Sequence, residues 1–308
     1  MALLLTPLFG GPAAWLPAFK AQMPELEVRT WPELGDPADI EVAAIGGLPG
    51  RELAKLPNLK LIVSLMAGTD MLLGDPALPD VPIVRCGDPE GDAMMNETAL
   101  LHVLRHHRDL PAYEQAQRQS EWLTLPRRRA RERRVGVLGL GAIGQAAAQT
   151  LADHGFQVAG WVRQPRLRGA IEIFHGRDQL AAFLARSEIV VNLLPLTPET
   201  DGILCAETFR QLPKGAAVIN LGRGAHIVDA DLVAALDSGH LAAATLDVFR
   251  VEPLPKDSPF WRHPKITVVP HAARRIDAAD LVPRICDHIR RLYAGQPLSQ
   301  IVERGRGY

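Results

Sequence analysis

The run VGVLGLGAIGQAAAQTLADHG, residues 135–155, constrains the fold more than any other part of the chain. Its valine-rich start reads as a buried strand and its alanine-rich second half as a helix, with three glycines between them. Gly139, Gly141 and Gly144 form G-x-G-x-x-G. In such a turn the first glycine permits the tight bend, the second lets a pyrophosphate approach the backbone, and the third lets helix pack on strand. Ala142 and Ile143 open the helix, whose unpaired N–H groups and positive dipole end face an anion. Gly155 is placed to end it, and FQVAGWV follows as the next strand. A strand–helix–strand unit of this kind predicts a parallel sheet and a dinucleotide site.

The same grammar runs along the rest of the chain. ALLL, IEVAAIG, LKLIVSL and VPIVRC are short apolar runs in the first part, separated by helical or turn segments. In the later part RVGVLGL, FQVAGWV, EIVVNLL, AAVINLG, LAAATLDVF and KITVVP give six candidate strands, with helices at RDQLAAFLARS and DADLVAALDSG. One long helix-like segment, NETALLHVLRHHRDLPAYEQAQRQSEW, starts at Asn96 and joins the parts through the basic loop PRRRARERR. No internal repeat is evident. The pattern is α/β, and 308 residues at 47% apolar content are enough for two packed cores.

Several function classes are excluded by what the chain lacks. Lys+Arg 34 against Asp+Glu 35 leaves no global field toward nucleic acid or an anionic membrane, so any anion is held locally. Cys86, Cys205 and Cys286 are odd in number and far apart, which suits a reducing compartment and supports no disulfide framework. No apolar run approaches the roughly 20 residues of a membrane-spanning helix, and the protein is expected in the cytoplasm. His102 and His106 share a helix face at i,i+4, but no third ligand accompanies them, so no metal is expected. RRRARERR has no aromatic interleaving and reads as a solvated connector.

A dinucleotide domain of this type commonly ends its second strand with an acid that holds the adenosine ribose. Here that position falls near Trp161–Arg163, with Arg166 and Arg168 just beyond. A carboxylate would repel a 2′-phosphate, whereas guanidinium groups offer it matched, charge-assisted donors. NADP(H) is therefore the expected cofactor, with NAD(H) possible. The alternative is that these arginines are simply solvated surface charge.

Four later segments are informative together: NLLPLTPETDGIL (192–204), INLGRGAHIVD (219–229), LDVFRVEPLP (246–255) and WRHPKITVVPHAA (261–273). With the glycine turn, they resemble the D-isomer-specific 2-hydroxyacid dehydrogenases in content and order, over most of residues 135–273. Among these, GWVRQPR, MAGTD at 66–70 and the tail VERGRGY resemble the shorter chains of the glyoxylate/hydroxypyruvate reductase A type.

The resemblance implies a Rossmann cofactor domain, residues 98–273, inserted in a smaller flavodoxin-like substrate domain, residues 1–97 and 274–308, both doubly wound parallel sheets with the active site in the cleft. It implies that His271 gives the proton while hydride reaches the carbonyl carbon of a 2-oxo acid, a role that suits imidazole near neutral pH. Glu252 is implied as the acid that hydrogen-bonds and orients this imidazole. Arg223 is implied as the substrate guanidinium, able to grip a carboxylate bidentately. Ala67 and Gly68 would offer backbone N–H groups to the substrate, Asp247 would lie near the nicotinamide, and Leu194, Pro195 and Leu221 would line the cofactor groove. A homodimer through the long helix is also implied.

Two departures stand out: Arg274 and Arg275 follow HAA, and GG at 46–47 supplies no large wall to a substrate pocket. A phosphoglycerate or formate dehydrogenase is the alternative within the family; the former often carries an appended domain for which 308 residues leave no room. A non-enzymatic NAD(P)-sensing regulator on the same fold is the alternative from another class.

Overall fold

The computed structural model describes residues 1–6, 11–66, 68–87, 89–164, 171–275 and 277–304. The chain divides into two units, Met1–Gly91 with Arg275–Tyr308, and Asp92–Arg274.

The first unit opens with β1 (Ala2–Thr6), α1 (Gly11–Gln22), β2 (Glu27–Thr30), β3 (Ile40–Ile45), α2 (Gly50–Leu53), β4 (Leu61–Ser64), α3 (Asp70–Leu73) and β5 (Ile83–Arg85). All five strands are parallel, in the order β2-β1-β3-β4-β5. β1 and β4 are buried along their whole length and so read as unbroken apolar runs.

The second unit contains α4 (Pro89–His107, shared at its start with the first unit), α5 (Leu110–Arg118), β6 (Arg134–Leu138), α6 (Ala142–Asp153), β7 (Gln157–Val162), β8 (Glu172–His175), α7 (Leu180–Arg186), β9 (Ile189–Asn192), α8 (Ala206–Gln211), β10 (Ala216–Asn220), α9 (Asp229–Asp237), β11 (Leu241–Leu246) and β12 (Ile266–Val268). Its seven strands are parallel, in the order β12-β11-β10-β9-β6-β7-β8. The chain leaves β6 toward one edge and resumes at β9 toward the other, so the switch point lies between β6 and β9, where open α/β sheets bind ligands. α10 (Ala278–Tyr293) closes the first unit, packing Leu281, Val282, Ile285 and Ile289 into the core that holds Trp15 and Phe19 of α1.

The structure refines the expected elements in three places. β2 and β8 were not among the expected strands; both are edges, and each begins at an exposed glutamate. The long helix is two helices, because Asp109 takes a left-handed φ of 55° and Pro111 follows. The basic loop is pinned rather than merely solvated: Glu188 faces Arg128 at 2.7 Å, Arg134 at 3.5 Å and Arg133 at 3.8 Å.

Candidate active site

The glycine turn lies at the switch point, and Gly139 and Gly144 each have a steric reason. Gly139 takes φ +91°, and a Cβ there would lie 2.9 Å from the Leu193 carbonyl oxygen. A Cβ on Gly144 would lie 1.8 Å from the Gly139 carbonyl oxygen, so no side chain fits. Gly141 differs: a Cβ would meet nothing within 4 Å. Space is kept open beside the backbone where α6 begins, with Gly141 and Ala142 exposed and Ile143 half-buried. The first N–H groups of that helix have no intrahelical acceptor, so the turn fits a dinucleotide pyrophosphate.

Across the switch point, Leu194 and Leu221 are buried at the carboxyl ends of β9 and β10, while Pro195 is exposed. At the end of β7, Arg163 is partly exposed and lies 3.9 Å from the Glu199 carboxylate. Trp161 stands at that end too, but its ring is buried and its indole N–H donates to the Gly176 carbonyl at 2.9 Å, bracing β7 on β8. Arg166 and Arg168 lie outside the described residues, as does Ala67. Gly68 follows β4 in the first unit, beside Thr69, whose buried hydroxyl has no hydrogen-bond partner among the described residues.

Three adjacent strands of the second unit, β10, β11 and β12, carry the remaining groups at their carboxyl ends. Arg223 follows β10, Asp247 follows β11 and His271 follows β12. Backbone hydrogen bonds tie these ends in series: the Asp247 N–H donates to the Asn220 carbonyl at 3.1 Å, and the His271 N–H to the Asp247 carbonyl at 2.8 Å. His271 sits at φ 49°, a left-handed conformation uncommon outside glycine. The Asp247 carboxylate, 1% exposed, supports that turn by accepting the N–H groups of Ala272 at 2.7 Å and Ala273 at 3.0 Å. Burial pushes the Asp247 carboxyl above its ordinary range, and the two N–H donors and the nearby His271 oppose the shift.

Glu252 bridges to the imidazole. One carboxylate oxygen lies 2.7 Å from His271 Nδ1, and the other accepts the Phe249 N–H at 2.8 Å. A carboxylate in this position orients the ring and selects the tautomer with hydrogen on Nδ1, leaving Nε2 for chemistry. The segment carrying Glu252 also passes against the arginine turn: a Cβ on Gly224 would lie 1.8 Å from the Phe249 carbonyl carbon. This contact is why glycine must follow Arg223. The Arg223 guanidinium donates to the Gly222 carbonyl at 2.9 Å.

The model of the family described as "D-isomer specific 2-hydroxyacid dehydrogenase, NAD binding domain" matches residues 100–273. The chain belongs to the D-isomer specific 2-hydroxyacid dehydrogenase family. A member from Serratia proteamaculans, glyoxylate/hydroxypyruvate reductase A, is 40% identical over 300 residues, 96% of each chain. Among solved structures of the family, the Xanthobacter autotrophicus Py2 enzyme in complex with NADPH and MES has a TM-score of 0.95 at 46% identity, covering 100% of this chain and 99% of that one. The NADPH-dependent glyoxylate/hydroxypyruvate reductase from Sinorhizobium meliloti, in complex with NADP and sulfate, gives 0.92 at 36% identity, covering 100% of both chains.

Other histidines in this dehydrogenase serve its core. His106 Nε2 lies 3.0 Å from the Thr245 hydroxyl, and burial lowers the His106 pKa to about 3; His102 is also buried and lowered for the same reason. Arg274 is paired with Asp92 at 3.7 Å. Three side chains that no motif assignment singled out, Asn192, Asn220 and His226, form a buried network beneath Arg223. The sequence signal was a polar residue ending each of two apolar strands, and a histidine within AHIVD.

Proposed function

We propose that the protein reduces a small 2-oxo acid, glyoxylate, hydroxypyruvate or a close relative, to the D-2-hydroxy acid with NADPH. The observation that carries this reading is the 2.7 Å contact of Glu252 with His271 Nδ1, on the strand-end rim that also bears Arg223. The names of the Serratia and Sinorhizobium relatives support the substrate class, and the NADPH and NADP complexes support the cofactor.

When bound, the reduced nicotinamide supplies hydride to the carbonyl carbon. Gly139, Gly141, Ala142, Ile143 and Gly144 hold the pyrophosphate, Leu194, Pro195 and Leu221 line the groove, and Asp247 borders it. Arg163 and Arg166 are assigned to the 2′-phosphate and Trp161 to the adenosine end of the groove, which makes NADPH the better cofactor and NADH the poorer one. The Arg223 guanidinium grips the carboxylate and polarises the carbonyl. His271 holds the transferable proton on Nε2 and gives it to the developing alkoxide, keeping its Nδ1 hydrogen, which it donates to the Glu252 carboxylate. In the first unit, Ala67 and Gly68 offer N–H groups to the substrate carboxylate, a reading supported by the buried Thr69 hydroxyl, which has no hydrogen-bond partner among the described residues.

The protein works in the cytoplasm as a homodimer through the second unit, where Leu101, Leu110 and Trp122 are exposed, the last at 98%. Sedimentation of the purified chain reads this directly: a mass near 34 kDa would refute it. The deciding experiment for function is initial rates with glyoxylate, hydroxypyruvate, pyruvate and phenylpyruvate, each with NADPH and NADH. Turnover is expected to be highest with one of the first two and NADPH. Tight NADP(H) binding without turnover on any of the four would instead favour a redox-sensing regulator.

A further inference from the structure

His226 ends the short turn Gly224–His226 and is 0% exposed. Its Nδ1 faces two donors: the Arg223 N–H at 3.0 Å and the Asn192 side-chain amide nitrogen at 2.9 Å. The Asn192 amide is oriented independently, because its oxygen accepts the Leu194 N–H at 3.2 Å. A nitrogen facing two N–H groups carries no hydrogen of its own, so the ring proton is on Nε2. That nitrogen lies 3.2 Å from the Pro195 carbonyl, which can only accept. Asn220 completes the frame. Its oxygen accepts from Asn192 at 2.9 Å and from the Gly222 N–H at 3.2 Å, while its nitrogen donates to the Arg223 carbonyl at 3.0 Å. Both peptide groups of Arg223 are thus held by buried side chains, the N–H by His226 and the C=O by Asn220. A Cβ on Gly222 would sit 3.0 Å from both His226 Nδ1 and the Asn192 amide nitrogen, so the ring packs tightly against the glycine before the arginine.

We propose that His226 is a positioning residue, a neutral imidazole with its hydrogen on Nε2, that fixes Arg223 against the Leu194–Pro195 turn so that one ring sets both the substrate grip and the cofactor seat. This rests on the reading above, in which Arg223 binds the oxo acid and Pro195 lines the cofactor groove. The two ring nitrogens have separable tasks: Nδ1 serves Arg223 and Nε2 serves Pro195.

The test uses the full-length protein in four variants, H226A, H226N, H226Q and R223A, with the KM for the oxo acid, the Kd for NADPH by fluorescence titration, and the melting temperature. Asparagine restores an acceptor near the Nδ1 position and glutamine a donor near the Nε2 position. H226N should keep the oxo-acid KM within about threefold while weakening NADPH binding about tenfold, and H226Q should do the reverse, each change being the worth of about one buried hydrogen bond. H226A should worsen both by about tenfold. If H226N and H226Q change both parameters equally, or neither, the proposal is overturned; where H226A does not fold, this pair decides alone. R223A separates the two levels: a raised oxo-acid KM alongside unaltered His226 variants sinks only the positioning role, whereas an unchanged KM in R223A sinks the functional reading beneath it.

Discussion

At the strand ends of the second unit, Asn192, Asn220, Asp247 and His226 are all buried, and each is bonded to backbone at or next to a residue of the proposed site. Among the described residues, the corresponding ends in the first unit hold Thr6, whose hydroxyl accepts the Gly46 N–H at 3.2 Å, Ser64, bonded within its own turn to Met66, and Thr69, whose buried hydroxyl has no hydrogen-bond partner there. Buried polar groups are costly unless satisfied, so their concentration on one sheet marks the place where side-chain angles must be fixed. The first unit, which contributes backbone at Gly68 in the proposed function, shows no comparable frame among its described residues.

The largest effect expected from this contrast is on turnover. His271→Ala should lower kcat by about 10²–10⁴, the usual worth of a positioned general acid, with the circular dichroism spectrum unchanged; near-full turnover in a folded variant would remove the second unit's claim to the chemistry. Acid should next separate the units. His102, His106 and His107 in the second unit are held neutral by burial, with His106 at about 3, whereas the first unit has only His288 lowered in this way. Their folded-state pKa values lie below the unfolded value near 6.5, so their neutral forms give full stability above about pH 6.5 and lose it as the pH falls toward the folded values. Hydrogen exchange at pH 7 and pH 5 should show protection falling more in β6–β12 than in β1–β5; an equal fall breaks the distinction.

Third, Asp247→Ala leaves the Ala272 and Ala273 N–H groups without their acceptor and should cost about 3 kcal/mol in urea unfolding. Ser64→Ala in the first unit should cost about 1 kcal/mol or less. Fourth and smallest in stability is Gly141→Ala, where a methyl group enters open space and φ is already −68°. Unfolding should be unchanged within about 0.5 kcal/mol while the NADPH Kd rises. A stability loss there would show that this glycine is structural, as Gly144 is.

Much of this was legible in the sequence because Gly139, Gly144 and Gly224 each answer a local steric demand. The inner strands were legible because burial on both faces makes them continuous apolar runs, as in β1, β4 and β10. EVRT and EIFH were not, since an edge strand needs little apolar surface. The fixed turn under Arg223 was also hidden: His226 meets Asn192 across 34 positions, a contact that exists only once β9 and β10 pair. The roles proposed for Arg223, Glu252 and His271 rest on family motifs. Spacing alone could not have joined Glu252 to a histidine 19 positions away.

The backbone of Phe249–Arg250 pressed against Gly224 has a consequence for altering specificity. The arginine turn and the segment that carries Glu252 have no slack between them, so a bulkier substrate cannot be accommodated by prising them apart without disturbing the imidazole's carboxylate.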